Sequence, residues 1–141
     1  MKKNISAEDG YTLLELLVVL AILALIAGIA VPQVMKAFGR AKSDTAQVQI
    51  EALATNLEFY RFDVGAYPTS EEGLKALIER PSGRNGWNGP YVTKRSMIQD
   101  PWGVAYGYKS PGEHGEFDIY TLGSDNQEGG EGEAKDVGNW E

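Results

Sequence analysis

The sequence contains no cysteine and only one histidine, His114. Without cysteine, the chain can form no disulfide, no thiolate metal site and no thiol nucleophile. A single histidine excludes metal sites built from several histidines and argues against a histidine-based catalytic triad. A small domain without disulfides has few ways to hold its ends together. We therefore expect its stability to come partly from another source, such as a bound ion.

Basic residues are scarce in the second half of the chain, and the formal net charge is −7. Residues 64–141 carry 13 acidic and 7 basic side chains, whereas residues 32–63 carry four of each. An acidic surface repels the phosphate backbones of nucleic acids and attracts cations. The charge distribution therefore predicts a protein that has no nucleic-acid partner.

The apolar residues are concentrated near the N-terminus. Leu13–Val31 holds 17 apolar residues among 19, and as a helix it would span about 28 Å, close to the ~30 Å hydrocarbon core of a bilayer. Lys2 and Lys3 precede this run, which places its N-terminus in the cytoplasm by the positive-inside rule. We expect a single-pass protein of the inner membrane with its C-terminal domain in the periplasm, rather than a plain soluble enzyme.

An ordinary secretory signal peptide is the alternative interpretation of this run. Such a signal has a shorter apolar region that ends in a cleavage site of small residues. Ala27–Ala30 matches that site only weakly, and helical sequence continues beyond it. The length of the run therefore favours a membrane helix.

Glu15 is the one charged residue inside the apolar run. A carboxylate there costs a few kcal/mol, so it is a candidate for a functional role. In the alternative interpretation, Glu15 lies near the helix end and reaches the water at the headgroups. However, Glu15 stands four residues after Tyr11, which follows Gly10. If the chain were cut after Gly10, the new amine would lie one helical turn from Glu15, or beside Glu15 of a neighbouring chain.

The segment Gly10–Glu15, with basic residues before it and an apolar run after it, resembles the prepilin signature. Tyr11 stands where that family usually has phenylalanine, and Pro32 stands where it has a helix-kinking proline. The resemblance implies that residues 1–10 are a leader removed by a prepilin peptidase. It also implies that residues 11–34 form a helix of the membrane and of the filament core. The residues that it marks are Gly10 and Tyr11 for cleavage and N-methylation, and Glu15 and Pro32 for assembly.

A second apolar pattern follows Pro32, with no further proline and only one glycine, Gly39, before Gly65. Apolar residues recur there at spacings of 4, 3, 4, 3 and 4, which predicts an amphipathic helix. We expect one long helix over Leu13–Asp63, loosened or kinked at Pro32. Its apolar stripe begins near Ala46, so the earlier turns should face the bilayer or other subunits. The stripe consists of Ala46, Ile50, Leu53, Leu57, Tyr60 and Val64.

Residues 65–141 contain 19 glycines and prolines among 77 residues, which indicates a domain rich in turns. Ser70–Glu79 reads as a short helix with Ser70 as its N-cap. Asp100–Gly103 reads as a turn. Runs of alternating, β-branched or aromatic residues predict three short antiparallel strands. We expect these strands to pack on the long helix, which gives an α+β fold. The predicted strands are Tyr91–Val92, Ala105–Lys109 and Phe117–Leu122.

Motifs along the whole chain from Gly10 to Trp140 resemble the major pseudopilins of type II secretion systems, the general secretion pathway protein G family. The resemblance implies a type IV pilin-like fold, in which residues 35–141 form a periplasmic domain. It implies a structural subunit that polymerises into a periplasmic filament and helps to export folded proteins across the outer membrane. The implied partners are further copies of the chain, minor pseudopilins, the inner-membrane secretion platform and the prepilin peptidase. The motifs are GAYPT, GLKALI, DPWG, FDIYTLGSDNQEGGEGE and GNW.

The loop over residues 122–137 carries five carboxylates between Asp125 and Asp136. Like charges separated by glycines repel one another unless a cation gathers them, and calcium takes six to eight oxygens in flexible geometry. The spacing does not fit an EF-hand, and a solvated acidic loop is the alternative. The resemblance implies that calcium is held here in place of the disulfide of many pilins. The implied ligands are Leu122, Asp125, Gln127, Asp136 and Val137.

Two other functions are alternatives to this one. The first is a type IV pilin for adhesion, motility or DNA uptake, which the acidic, glycine-rich loop and the lack of cysteine disfavour. The second is a membrane-anchored, calcium-dependent hydrolase, because Glu113, His114 and Asp118 lie close together in the sequence. No nucleophile motif accompanies them, and a lone histidine in a turn is usually a surface residue. We therefore expect a structural protein and not an enzyme.

Overall fold

The computed structural model describes residues 10–141. Its longest element is the helix α1, Leu13–Val64. The chain divides into two compact units, the first ending at Met35 and the second running from Lys36 to Glu141. A small antiparallel sheet follows α1 in the second unit. The expected α+β fold is confirmed.

In the first unit, the helix begins where the sequence predicts. The N–H of Glu15 donates to Thr12 Oγ1 at 3.2 Å, and the N–H of Leu16 donates to the Thr12 carbonyl at 3.1 Å. Thr12 is therefore the N-cap, and Glu15 occupies the third helical position. The helix continues through Pro32, and the kink at this residue stays a prediction. The apolar run is long and hydrophobic enough to cross a membrane, with a mean hydropathy of 2.9 over 18 residues.

In the second unit, the predicted apolar stripe of α1 is buried, except that Val64 at its end is half-buried. Its residues Ile50, Leu53, Leu57 and Tyr60 join one core with side chains from the rest of the domain. This burial explains why α1 stays helical well beyond the apolar run, since most helical stability in proteins comes from packing an amphipathic face. The partners of the stripe in the core include Leu74, Leu77, Val92, Tyr106, Phe117, Ile119 and Val137.

The covered part of α1 begins earlier than the sequence predicts. Gly39 is buried, and a β-carbon at this position would overlap the side chain of Glu133. The Ser43 hydroxyl donates to the Gly39 carbonyl at 3.2 Å and lies 3.5 Å from the carbonyl of Gly132. The C-terminal loop thus packs on α1 about two turns before Ala46. The missing side chain of Gly39 makes this approach possible.

The sheet has three short strands in the order β1-β2-β3, all antiparallel. They are β1 (Gly107–Lys109), β2 (Asp118–Thr121) and β3 (Val137–Gly138). Tyr120 in the central strand pairs with Gly107 on one side and with Gly138 on the other. The first two strands lie within predicted segments and are shorter than expected. The third was missed, because two residues cannot show an alternating pattern.

The predicted strand Tyr91–Val92 is wrong. The backbone N–H groups of both residues donate to the same carbonyl, that of Leu77, at 2.8 and 3.2 Å. This segment is therefore hydrogen-bonded to the end of the 3₁₀ helix Leu74–Leu77 and not to the sheet. The predicted turn at Asp100–Gly103 is confirmed, because the Gly103 N–H donates to the Asp100 carbonyl at 2.9 Å.

The predicted helix Ser70–Glu79 is also wrong in extent and in its cap. The structure has a turn followed by a 3₁₀ helix, Leu74–Leu77. Thr69 caps the turn, since its N–H donates to Glu72 at 2.8 Å and its hydroxyl accepts the Glu72 N–H at 3.2 Å. The hydroxyl of Ser70 instead donates to a carbonyl forty residues further along the chain, at 3.1 Å. Ser70 therefore makes a tertiary contact and does not act as the predicted N-cap.

The buried stripe allows a direct test of the fold. Leu57 is 0% exposed, whereas Val48, on another face of the same helix, is 65% exposed. We expect Leu57→Ala to lower the free energy of unfolding by about 2–5 kcal/mol, because it removes core contacts and leaves a cavity. Val48→Ala should change it by no more than about 0.5 kcal/mol. The measurement is urea unfolding in mild detergent followed by tryptophan fluorescence, and equal losses for the two variants would contradict the packing.

Candidate functional site

The predicted processing residues lie just before α1. Gly10 and Tyr11 precede the first helical turn, and the Tyr11 side chain is 86% exposed. Among the described residues other than its chain neighbour, no atom lies within 4 Å of the place where a β-carbon would stand on Gly10. The rest of the predicted leader, residues 1–9, lies outside the described residues. Among the described residues, nothing therefore covers the predicted cleavage bond between Gly10 and Tyr11.

Glu15 has a role within its own chain that the sequence analysis missed. Its position in the first turn of α1 places a negative charge near the positive end of the helix dipole. The pattern Thr12-Leu13-Leu14-Glu15 is that of a capping box, and the Thr12 half of the box is formed. Capping alone requires a carboxylate or an amide at this position. The predicted pairing with an amine requires the charge, so the two roles can be separated by substitution.

The acidic loop is closed by the sheet. Thr121 at the end of β2 pairs with Val137 at the start of β3, so the two ends of the loop lie side by side. Between them the backbone folds into two 3₁₀ turns, Gly123–Asp125 and Gly132–Ala134. Gly123 has a φ of 69°, and a β-carbon on it would lie 2.7 Å from the Glu133 carbonyl oxygen. Only glycine allows the two turns to approach this closely.

The two predicted aspartate ligands differ in their surroundings. Asp125 is exposed, and its Oδ1 accepts the N–H of Gln127 at 3.1 Å. Oδ2 of Asp136 accepts the N–H of Gly129 at 2.8 Å. Oδ1 of Asp136 is buried and has no hydrogen-bond partner among the described residues. Buried carboxylate oxygens are almost always paired, so this atom indicates a place where a cation would fit.

The structure brings together part of the predicted ligand set. Leu122 and Asp136 line one cavity of about 350 Å³, together with Glu128. Val137 is buried in β3 directly after Asp136. Among residues 10–141, no three histidine, aspartate or glutamate side chains are arranged to hold a metal ion. An ion here would therefore depend on backbone oxygens as well as on the carboxylates, and calcium accepts both.

A second group of polar side chains also lines that cavity. The Nδ1 atom of His114 is 3.0 Å from Oδ2 of Asp118, and the histidine ring stacks on Trp140 with 4.1 Å between centroids. The backbone N–H groups of Glu113 and His114 also donate to Asp118, at 2.8 and 3.2 Å. Glu113 itself forms an ion pair with Lys109. The three residues of the hydrolase alternative are close together, but these contacts fasten a turn to β2 and to the C-terminus.

Asp118 is 4% exposed. Burial alone would raise the pKa of its carboxyl group, but the hydrogen bonds from the Glu113 and His114 backbone and from the His114 ring outweigh burial. The pKa of Asp118 is therefore held below its ordinary value. A carboxyl group whose pKa is lowered on folding stabilises the folded state above its unfolded pKa, near 3.9. That contribution is lost as the pH falls through the folded pKa.

The lowered pKa of Asp118 leads to a testable pH dependence of stability. At pH 7, Asp118→Asn should lower the free energy of unfolding by about 1–3 kcal/mol, because it weakens a buried, charge-assisted set of hydrogen bonds. The difference between the wild type and the variant should shrink as the pH is lowered from 5 to 2. The measurement is urea unfolding at a series of pH values. A difference that stays constant over this range would show that the charge of Asp118 contributes nothing.

Comparison with known proteins places these features in one family. The family model of type II secretion system (T2SS) protein G matches residues 33–140. The prokaryotic N-terminal methylation motif matches residues 5–31. The first match covers most of α1 and the whole C-terminal domain, and the second covers the predicted cleavage bond, Glu15 and the apolar run.

Individual relatives agree with the family models over almost the whole chain. A type II secretion system core protein G from Pseudomonas aeruginosa is 42% identical over 137 residues, which cover 95% of this chain and 96% of the relative. One from Vibrio cholerae is 41% identical over 141 residues, covering 98% and 95%. The crystal structure of the major pseudopilin from the type 2 secretion system of enterohaemorrhagic Escherichia coli aligns with a TM-score of 0.65 and 32% identity, covering 75% of this chain and 88% of that one. The chain therefore belongs to the type II secretion system protein G family.

Proposed function

We propose that this protein is the major structural subunit of a type II secretion pseudopilus, a periplasmic filament that helps to export folded proteins across the outer membrane. The observation that carries the proposal is the similarity to core proteins G over 95–98% of the chain, from the methylation motif to the C-terminal loop. This similarity favours the secretion filament over an adhesion, motility or DNA-uptake pilus. The expected partners are other copies of the chain, minor pseudopilins, the inner-membrane platform and the prepilin peptidase.

Before assembly, the first part of α1 anchors the protein in the inner membrane. The apolar run supports this, because its side chains are exposed and its length fits a bilayer. Lys2 and Lys3 would hold the leader in the cytoplasm, and residues 35–141 would then lie in the periplasm. Cleavage after Gly10 and N-methylation of Tyr11 prepare the subunit for assembly.

Glu15 then selects the position of each incoming subunit. Cleavage creates a positive amine at Tyr11, and the Glu15 carboxylate of an adjacent subunit pairs with it in the filament core. In a low dielectric, one buried charge without a partner is strongly destabilising, whereas the pair offsets much of the cost of burying both charges. A subunit placed out of register leaves two unpaired charges. Pro32 is expected to let the helix adjust its direction where it leaves the apolar core.

The role of Glu15 is tested by two substitutions. Glu15→Ala should insert into the membrane and be cleaved, yet give a filament yield at least tenfold lower, because the amine has lost its partner. Glu15→Gln keeps the side chain that a capping box accepts but removes the charge, so it should assemble as poorly as Glu15→Ala. Filaments are sheared from cells that carry the secretion machinery and are quantified by immunoblot and electron microscopy.

Mass spectrometry of the membrane-extracted protein provides the control. All three proteins should begin with N-methylated Tyr11, which shows that insertion and processing are intact, and Gly10→Val should accumulate as uncut precursor. If Glu15→Gln assembles like the wild type, the residue acts through capping alone. If the wild type is neither cleaved nor assembled, the proposed function is wrong.

Calcium is the second part of the proposal. Asp125 and Asp136 would hold the ion together with backbone or amide oxygens at Leu122, Gln127 and Val137. The buried Oδ1 of Asp136, which has no hydrogen-bond partner within residues 10–141, supports this assignment, as does the loop closure by Thr121 and Val137. The ion would offset the repulsion between the loop carboxylates and fix the C-terminal segment to the sheet. The ion would thus stabilise the domain without a covalent bond, in the place of the missing disulfide.

Removal of calcium should therefore lower stability. An ion that binds only the folded state contributes RT ln(1 + [L]/Kd), about 2.7 kcal/mol at a hundredfold excess over Kd. We expect the full-length protein in detergent to melt several degrees lower in chelator than in calcium. Asp125→Ala should abolish this difference, and magnesium should restore little of it, because magnesium demands tighter octahedral geometry.

The matched control is Glu131→Ala. Glu131 is another exposed carboxylate of the same loop, so the variant removes the same charge but no proposed ligand, and its response to calcium should be that of the wild type. Melting is followed by the fluorescence of Trp87, Trp102 and Trp140, all of which lie beyond α1. If calcium and chelator give the same melting temperature for the wild type, the loop is a solvated acidic segment.

A further inference from the structure

The segment that directly follows the apolar run carries positive charge only. Residues 32–43, which we call the juxtamembrane segment, contain three basic residues and no acidic residue. The basic residues are Lys36, Arg40 and Lys42. Residues 44–141, in contrast, carry 17 acidic and 8 basic side chains. A net positive charge therefore lies where the chain leaves the predicted membrane helix.

The basic side chains of the juxtamembrane segment are exposed. Among the described residues, none of the three forms an ion pair, whereas five of the eight basic residues beyond them pair with a carboxylate. Asp44 follows Arg40 by four residues, and Glu133 packs on the same part of α1. Neither carboxylate pairs with the segment within the part of the chain that the structure describes. These positive charges are therefore available to an anion outside the chain.

Two of the three basic residues share one face of α1. Lys36 and Arg40 stand four residues apart, so they are neighbours on the helix surface, with ~5–6 Å between their β-carbons. Lys42 is held by the domain instead, because its ammonium lies 5.9 Å from the centre of the Trp102 ring in a cation–π contact. Lys36 and Arg40 therefore form a pair of cations that is spaced to hold one anion between them.

With the apolar run in the bilayer, this pair of cations comes close to the lipid headgroups. A helix rises ~1.5 Å per residue, so Lys36 and Arg40 follow Val31 by about 8 and 14 Å along the chain. The headgroup layer extends about 5–8 Å beyond the hydrocarbon core on each side. Long basic side chains reach back to it, and surface charge acts over ~8–10 Å at physiological salt. Both cations are thus within range of a charged membrane surface.

Membrane orientation does not account for these cations. The positive-inside rule favours lysine and arginine on the cytoplasmic side of a membrane helix. In the proposed orientation, the juxtamembrane segment lies on the opposite side, where its positive charges bring no advantage for insertion. An interaction other than the orientation of the helix must therefore explain a segment with three cations and no carboxylate.

We infer that Lys36 and Arg40 bind the phosphate of an anionic phospholipid in the periplasmic leaflet while the subunit is stored in the inner membrane. An arginine side chain donates two parallel hydrogen bonds to a phosphate, and a lysine ammonium adds a point charge. The acidic domain that follows repels such a surface, so the contact is confined to this pair. The inference rests on the membrane anchoring in the proposed function, and it adds the class of lipid that the protein recognises.

The lipid contact exists only in the membrane-stored form. A subunit that leaves the bilayer for the filament leaves the lipid phosphate behind. A ligand shifts an equilibrium by the difference in its affinity for the two states. The anionic lipid therefore favours storage over assembly, and subunits without the two cations should leave the bilayer more readily.

Lipid competition in nanodiscs tests this assignment with the full-length protein. The nanodiscs contain equal amounts of phosphatidylglycerol, which is anionic, and phosphatidylethanolamine, which has no net charge. Native mass spectrometry then counts the lipids that stay bound to the protein. We expect the wild type to retain phosphatidylglycerol preferentially. Lys36→Gln/Arg40→Gln should lower the ratio of bound phosphatidylglycerol to phosphatidylethanolamine at least fivefold, because one cation near an anionic surface contributes about fivefold to binding.

The matched control is Lys75→Gln/Lys94→Gln. It removes two positive charges that are also exposed and form no ion pair among residues 10–141, but that lie far from the apolar run in the sequence. This variant should keep the lipid preference of the wild type. Lys36→Arg/Arg40→Lys retains both charges and should keep it too. Urea unfolding should be unchanged in all three variants, because each substituted side chain is exposed.

The outcomes separate the inference from the proposed function. If the wild type retains both lipids equally, or if the control variant loses the preference as well, the juxtamembrane segment is not a lipid site and the proposed function stands. If Lys36→Arg/Arg40→Lys loses the preference, positive charge does not hold the lipid and the inference is wrong. If the wild type keeps the preference but forms no filaments in cells that carry the secretion machinery, the filament function fails and the lipid site stands.

Discussion

The packing of one helix face against a small sheet is the contact on which the folded domain depends. The strands have only two to four residues each, and so small a sheet cannot bury its apolar face alone. The stripe that includes Leu57 and Tyr60 supplies the second layer that every domain needs. Because this stripe covers only one side of the second half of α1, other sides of that half stay exposed, for example at Val48 and Phe59.

The C-terminal segment closes the domain without a covalent link. It is held where Glu133 packs over Gly39, where β3 pairs with β2, and where Trp140 stacks on His114. Each contact is local and modest, and the loop between them concentrates negative charge. An ion bound at Asp136 would stabilise the loop between these contacts. This gives a physical reason for an acidic loop in a domain that lacks cysteine.

The long-range features of the fold were predictable because they follow periodic patterns, and the local ones were not. The spacing of apolar residues predicted α1 to within one residue at its end, Val64. The cap at Thr69 was missed because Ser70 offers the same chemistry and only a distant carbonyl decides between them. The aspartates of the loop could be named, but it is burial that leaves Oδ1 of Asp136 without a hydrogen-bond partner in the part of the chain that the structure describes. No sequence pattern predicts the burial of a single atom.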